Sequence, residues 1–94
     1  MRMATENTQN TQDKEHLRFY TTAGCHLCEQ AKAIYQATLN PAFFAVEEVD
    51  IADSDALIEC YGTRIPVLQQ KLSGRELGWP FGPQELVEFL SGND

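Results

Sequence analysis

Two cysteines three positions apart, in the stretch "YTTAGCHLCEQAKAIY" from Tyr20 to Tyr35, carry the clearest chemistry in this chain. A Cys-x-x-Cys pair can ligate a metal, lock a disulfide or exchange disulfides with a substrate. Cys25 precedes the first residues of a helical pattern. There the unpaired backbone N–H groups and the positive end of the helix dipole stabilise a thiolate. A thiol at the ordinary value of about 8.5 is only roughly 3% ionised at pH 7, whereas one held near 6 is roughly 90% ionised, a difference of about 3.4 kcal/mol. Cys28 lies one helical turn on, so both sulfurs project from one face within reach of a disulfide. In an exchange mechanism the exposed Cys25 attacks a substrate disulfide. Cys28 then resolves the mixed disulfide, leaving a Cys25–Cys28 bridge.

His26, between the cysteines, is either a modulator of the Cys25 thiolate when protonated or a solvent-exposed side chain at the helix start. A zinc site would draw on Cys25, Cys28, Cys60 and a histidine. It is the weaker reading, because such sites present a second closely spaced ligand pair and Cys60 stands alone, 32 residues beyond Cys28. No metal is therefore assigned; a cluster bridging two chains through Cys25 is a separate arrangement. Cys60 itself reads as a small buried hydrophobe.

The elements that must position this pair follow from patterning. "LRFYTT", Leu17 to Thr22, reads as a short strand, followed by Gly24 just before Cys25. Leu27, Ala31, Ile34, Tyr35 and Thr38 form the apolar stripe of a helix that ends at Asn40-Pro41. "AFFAVEEVDI" is a second strand, apolar on both faces at Phe43 to Val46, as a central strand would be. A short helix capped by Asp53 or Ser54 stops at Gly62. Val67–Leu72 and Arg75–Trp79 flank Ser73-Gly74 as a hairpin. Pro83 then opens a last helix that buries Leu86, Phe89 and Leu90. The order β-α-β-α-β-β-α predicts an α/β fold, a four-stranded mixed sheet flanked by three helices, with a parallel pair joined by a right-handed crossover.

Ninety-four residues, 43% of them hydrophobic, suffice for one small domain. Residues 1–16 are polar and read as a flexible leader, leaving the domain to residues 17–94. A net charge of −7 leaves no basic surface for phosphates, so neither nucleic acid nor an anionic membrane is expected as a partner. No apolar run approaches the roughly 18 residues of a membrane span, and "MRMATENTQNTQDKEH" lacks the apolar core of a secretory signal. The protein is thus expected in the cytoplasm as a monomer. In that compartment disulfides are usually transient and catalytic, which favours exchange chemistry over a structural staple.

"FYTTAGCHLCEQA", "YGTRIPVL" and "GRELGWPF" together resemble the small bacterial glutaredoxin-like family of the thioredoxin superfamily, over about Leu17 to Leu90. The resemblance implies a thiol–disulfide oxidoreductase with Cys25 and Cys28 as its dithiol. It also implies that Ile65-Pro66 is a cis-proline loop facing the cysteines, whose exposed Ile65 backbone groups pair with a substrate's extended chain. Arg64, just before that loop, is either a cation serving the site or a solvated turn residue. Trp79-Pro80-Phe81 reads as core and loop packing.

Glutathione-binding glutaredoxins typically carry Cys-Pro-Tyr-Cys, Thr-Val-Pro and a Gly-Gly pair before an Asp. This chain has Cys-His-Leu-Cys, Arg-Ile-Pro and Gly82 alone before Pro83. No cofactor is required on this reading. Glutathione stands as a reductant or co-substrate, and the substrate is a disulfide-containing protein or a glutathione mixed disulfide. The competing class is a non-enzymatic binding module, either an iron–sulfur or zinc carrier through Cys25 or a redox-inactive adaptor using the same groove.

Overall fold

A computed structural model describes residues 14–92. Its elements run β1 (Glu15–Thr21), α1 (His26–Thr38), β2 (Phe44–Asp50), a 3₁₀ turn (Ile51–Asp53), α2 (Asp55–Tyr61), β3 (Val67–Gln70), β4 (Glu76–Gly78) and α3 (Pro83–Leu90). The order of elements is the expected one, and so is the single mixed sheet. Strands lie in the order β2-β1-β3-β4, with β1 parallel to β2 and the other two pairings antiparallel.

Register explains how two cores arise from one sheet. Leu17 pairs with Val46, Phe19 with Leu68, and Leu68 with Leu77, so these side chains share one face. That face is covered by α1 and α3, through Cys28, Ala31, Tyr35, Leu86 and Phe89, and by Phe81 of the loop before α3. Tyr20 and Val67 point to the opposite face, where Ile51 and Tyr61 close a smaller cluster with Val49, Leu57 and Ile65 packed against it. The result is a three-layer α/β sandwich whose central strand, β1, feeds directly into the cysteine pair. No helix among the described residues is long and apolar enough to cross a membrane.

Several expectations are corrected. The strand "AFFAVEEVDI" is an edge strand, not a central one, and Phe43, just before it, is 64% exposed. Its Glu47 and Glu48 point to opposite faces, toward Lys71 and Lys32 respectively. β1 starts at Glu15, two residues before the expected boundary, because Glu15 already pairs with Phe44. The leader expected over residues 1–16 otherwise lies outside the described residues. The hairpin strands are shorter than Val67–Leu72 and Arg75–Trp79. The chain leaves the ladder at Lys71 to turn through Gly74, with φ +79°, and Leu72 is fully exposed there. Ser54 caps α2, its Oγ accepting from the Leu57 N–H at 3.3 Å, and Leu86 and Phe89 of α3 are buried.

Candidate functional site

The turn from β1 into α1 is built for a helix-start cysteine. Gly24 has φ +76°, a left-handed conformation that an L side chain adopts only with strain, and it swings the chain so that Cys25 becomes the residue before the first helical turn. Cys25 has extended backbone angles and serves as N-cap. Its Sγ accepts a hydrogen bond from the Cys28 N–H at 3.2 Å, the role that Ser or Asp oxygens usually play. Its own carbonyl accepts from the Glu29 N–H, starting the helix ladder.

Cys25 and Cys28 are disulfide-bonded, with Cα atoms 5.2 Å apart. Their environments differ. Cys25 is half-buried, whereas Cys28 is 3% exposed and belongs to the core cluster with Ala31 and Tyr35. Cys28 thereby replaces Leu27 on the buried stripe of α1, and Leu27, expected inside, is 44% exposed beside the pair. The rest of the expected stripe holds, with Ala31 and Tyr35 buried and Ile34 packed on the core; Cys28, three and seven residues before Ala31 and Tyr35, joins that face in the first turn. His26 occupies the first helical position and is exposed.

A recess of about 160 Å³ opens beside the disulfide, lined by Phe19, Thr21, Thr22, Ala23, Gly24, Cys25, Cys28, Glu29, Lys32 and Glu48. At its wall Lys32 pairs with Glu48 at 2.5 Å, and the Tyr35 hydroxyl lies 3.5 Å from the same carboxylate. Burial, with the charge and hydrogen bond of Glu48 behind it, raises the Tyr35 phenol above its ordinary range, so this hydroxyl stays a donor.

The other segment singled out by the sequence lies between α2 and β3. The Ile65-Pro66 peptide is cis, as is Trp79-Pro80. Pro66 is fully buried, and Ile65 is half-buried, packing against both clusters. Cys25 also packs against the larger cluster. The Trp79 N–H donates to the Pro66 carbonyl at 3.2 Å, and the Trp79 ring meets Phe81 edge-on at 5.3 Å, so this tryptophan is packed into the loop.

Arg64 lies exposed in the turn that follows α2. Its guanidinium pairs with Glu76, lies 4.9 Å from the centre of the Tyr61 ring and has Nη1 3.9 Å from the Cys60 Sγ. It is thus an exposed turn residue, as one of the two expectations had it, but one engaged with Glu76 and Tyr61. Cys60, expected to be buried, is exposed at the C-terminal turn of α2, because Tyr61 takes the inward position there. Among the described residues no three His, Cys, Asp or Glu side chains converge as a metal set, so Cys60 is not brought to the Cys25–Cys28 pair.

Sequence reasoning missed the group around Glu76. This carboxylate accepts from the Tyr61 hydroxyl at 2.5 Å and from Arg64, with Gln69 Nε2 at 3.4 Å. Tyr20 donates to Gln69 Oε1 at 2.8 Å and stacks on Tyr61 with centroids 4.2 Å apart. Burial works to raise the Glu76 carboxyl, but the hydrogen bonds from Tyr61 and Arg64 outweigh it and hold it below the usual carboxylate range. Burial, then the bond to Glu76, pushes the Tyr61 phenol up. The available signal was a glutamate in a three-residue strand whose alternation turns it toward the α2 face.

Residues 16–91 match the Glutaredoxin-like domain family (DUF836). Among solved structures, the chain resembles the X-ray structure of target protein XcR50 from X. campestris, with 37% identity and a TM-score of 0.73. The match covers 83% of this chain and 99% of that one. The solution structure of XcR50 gives 38% identity and a TM-score of 0.70, over 83% and 95% of the two chains. Protein Ne2328 from Nitrosomonas europaea is similar at 26% identity and a TM-score of 0.68, over 81% of this chain and 91% of its own. No curated protein matches. The match across most of the sequence, together with the shared α/β sandwich of these structures, places the chain in the glutaredoxin-like domain family.

Proposed function

We propose that this protein is a thiol–disulfide oxidoreductase that works through Cys25 and Cys28. One observation carries the reading. A Cys-x-x-Cys disulfide sits at the start of a helix, with one cysteine half-exposed and hydrogen-bonded by a backbone N–H and the other buried. Family membership supports a redox-type role.

In the reduced protein the Cys25 thiolate attacks one sulfur of a substrate disulfide. A Cys25–substrate disulfide forms, and the first substrate thiolate leaves and takes up a proton. Cys28 then loses its proton and attacks the Cys25 Sγ, forming the Cys25–Cys28 bond and releasing the second substrate thiolate. Two electrons pass to the substrate, and the pair is left as the disulfide seen here. Asymmetric burial sets the order of attack, since a substrate sulfur reaches Cys25 before Cys28. The Ile65-Pro66 segment supplies backbone groups to hold the chain flanking the substrate disulfide. The substrate class is a protein disulfide or a glutathione mixed disulfide, and glutathione or another thiol returns the pair to its reduced form. The protein works as a cytoplasmic monomer in this reading.

Cys28→Ser tests it by stalling the reaction at the mixed disulfide. The expected result is a covalent adduct at Cys25 that dithiothreitol releases, from a protein that is metal-free after anaerobic purification. Absence of any adduct, with Cys25 alkylating no faster than free cysteine in mildly acid solution, would falsify the reading. Stoichiometric metal bound through Cys25 would instead establish the carrier alternative.

A further inference from the structure

The five residues from Gly62 to Pro66 join α2 to β3 and carry the cis peptide, and most of what holds them converges on Tyr61. Its carbonyl accepts from both the Arg64 N–H at 2.8 Å and the Ile65 N–H at 3.1 Å. Its ring is clamped between Tyr20 on one side and the Arg64 guanidinium, 4.9 Å from its centroid. Its hydroxyl donates to Glu76, the same carboxylate that pairs with Arg64. A single glutamate on β4 therefore ties together the two residues that begin and end the turn leading into Ile65. On the far side of Pro66, the Trp79 N–H fastens the chain to the end of the same β4 strand.

From this geometry we infer that Glu76 is a positioning residue for substrate, acting through Tyr61 and Arg64 to hold the Ile65-Pro66 backbone where it pairs with an extended peptide beside the disulfide. The inference rests on the proposed exchange reaction. It predicts selectivity between substrate classes: a disulfide within a peptide chain uses the Ile65 backbone, whereas a small disulfide with no flanking chain needs Cys25 alone. Glu76 sits on the sheet face opposite α1 and away from the larger core. Its loss therefore loosens the segment without disturbing the cysteine pair.

The test uses the full chain with Glu76→Ala, Glu76→Gln and Tyr61→Phe, dithiothreitol as reductant, and two substrates: an intramolecularly disulfide-bonded peptide with extended flanks, and hydroxyethyl disulfide. For Glu76→Ala, KM for the peptide is expected to rise about tenfold, the factor that loss of roughly one charge-assisted hydrogen bond represents. Its kcat, the turnover of hydroxyethyl disulfide and the alkylation rate of Cys25 are expected to stay within about twofold, since these need no flanking-chain contact. Glu76→Gln, which keeps an acceptor for the Tyr61 hydroxyl, and Tyr61→Phe, which keeps the ion pair, are each expected to fall between wild type and Glu76→Ala. An unchanged peptide KM in Glu76→Ala overturns the inference and leaves the exchange reaction standing. Equal losses on both substrates overturn it too, because they mark general damage. If the wild-type protein turns over neither disulfide, the proposed function fails and this inference fails with it.

Discussion

The hydrogen bond from the Cys28 N–H to the Cys25 Sγ, 3.2 Å long in the oxidised protein, makes a quantitative demand on the reduced one. Once the disulfide opens, the same N–H faces a thiolate. A hydrogen bond to an ionised group contributes about 1.5–3 kcal/mol, and a charge at a helix N-terminus gains about 0.3–1 kcal/mol more. Cys25 is half-exposed and Glu29 borders the same recess with the opposite effect, which argues for the lower ends of both ranges. The net stabilisation is then about 2 kcal/mol, or roughly 30-fold more thiolate relative to thiol at a given pH than in free cysteine. Cys28→Ser with Cys60→Ser leaves Cys25 as the remaining thiol of this chain, so its thiolate can be titrated directly by ultraviolet absorbance. Replacing Cys28 with Pro in the same background removes the N–H at a first-turn position where the helix does not use it. That variant is expected to lose most of the hydrogen-bond share, roughly tenfold in thiolate ratio, with circular dichroism confirming an intact helix. If the serine variant titrates like free cysteine, or if the proline variant matches it, the N-cap geometry does not activate Cys25 and the reasoning is wrong.

Other outcomes follow from the same contacts. Cys60 is exposed, so the oxidised protein should take up one equivalent of a small alkylating reagent, all of it at Cys60, and Cys60→Ser should leave disulfide turnover unchanged. A second labelled site in the oxidised protein, or a loss of turnover, would contradict this. Stability should weaken at both ends of the pH range for reasons traceable to Glu76 and Tyr61. Glu76 is held below its ordinary value of 4.5 in the fold, so its contribution is complete above that value and is lost as pH falls toward the folded value. Tyr61 is raised above 10.0, so its contribution is complete below that pH and is lost as pH rises through it. Urea midpoints followed from neutral pH in both directions should show a shallower acid loss in Glu76→Gln and a shallower alkaline loss in Tyr61→Phe. Full wild-type slopes in those variants would show that the cluster does not couple to folding.

What was legible in the sequence was local. A strand, a glycine, a cysteine and a helix lie within one short stretch, so the placement of Cys25 at a helix start follows from neighbouring residues alone. The order of elements was readable for the same reason. Strand order was not. Phe43 and Phe44 suggest a strand covered on both sides, but the register with β1 leaves β2 at the edge with Phe43 in solvent. Leu27 and Cys28 were exchanged because both flank the face set by Ala31 and Tyr35, at i−4 and i−3 from Ala31, and apolar ranking favours leucine where periodicity does not choose between them. Cys60 failed in a related way. Two adjacent apolar residues at a helix end compete for one inward position, and the larger Tyr61 fills it by stacking on Tyr20.

Glu76 was beyond reach from sequence because its partners come from α2 and from the turn after it, and the three meet only when β4 is paired to β3. That non-local origin bears on how the molecule can diversify. The cysteine pair depends on the β1–α1 turn and the large cluster beneath it, where a change in Phe19, Ala31 or Leu86 disturbs the exchange chemistry and the core together. The group that holds Ile65-Pro66 lies on the other face, made of polar contacts at the sheet edge with the small cluster of Tyr20, Ile51, Tyr61 and Val67 beneath it. If the proposed function and the inference about Glu76 hold, substitutions there alter how a flanking chain is held while leaving the sulfur chemistry intact. Selectivity in this fold can thus change through β4 and α2 without change at the cysteines, so relatives with the same pair that differ at Glu76, Tyr61 or Arg64 should differ in which disulfides they accept.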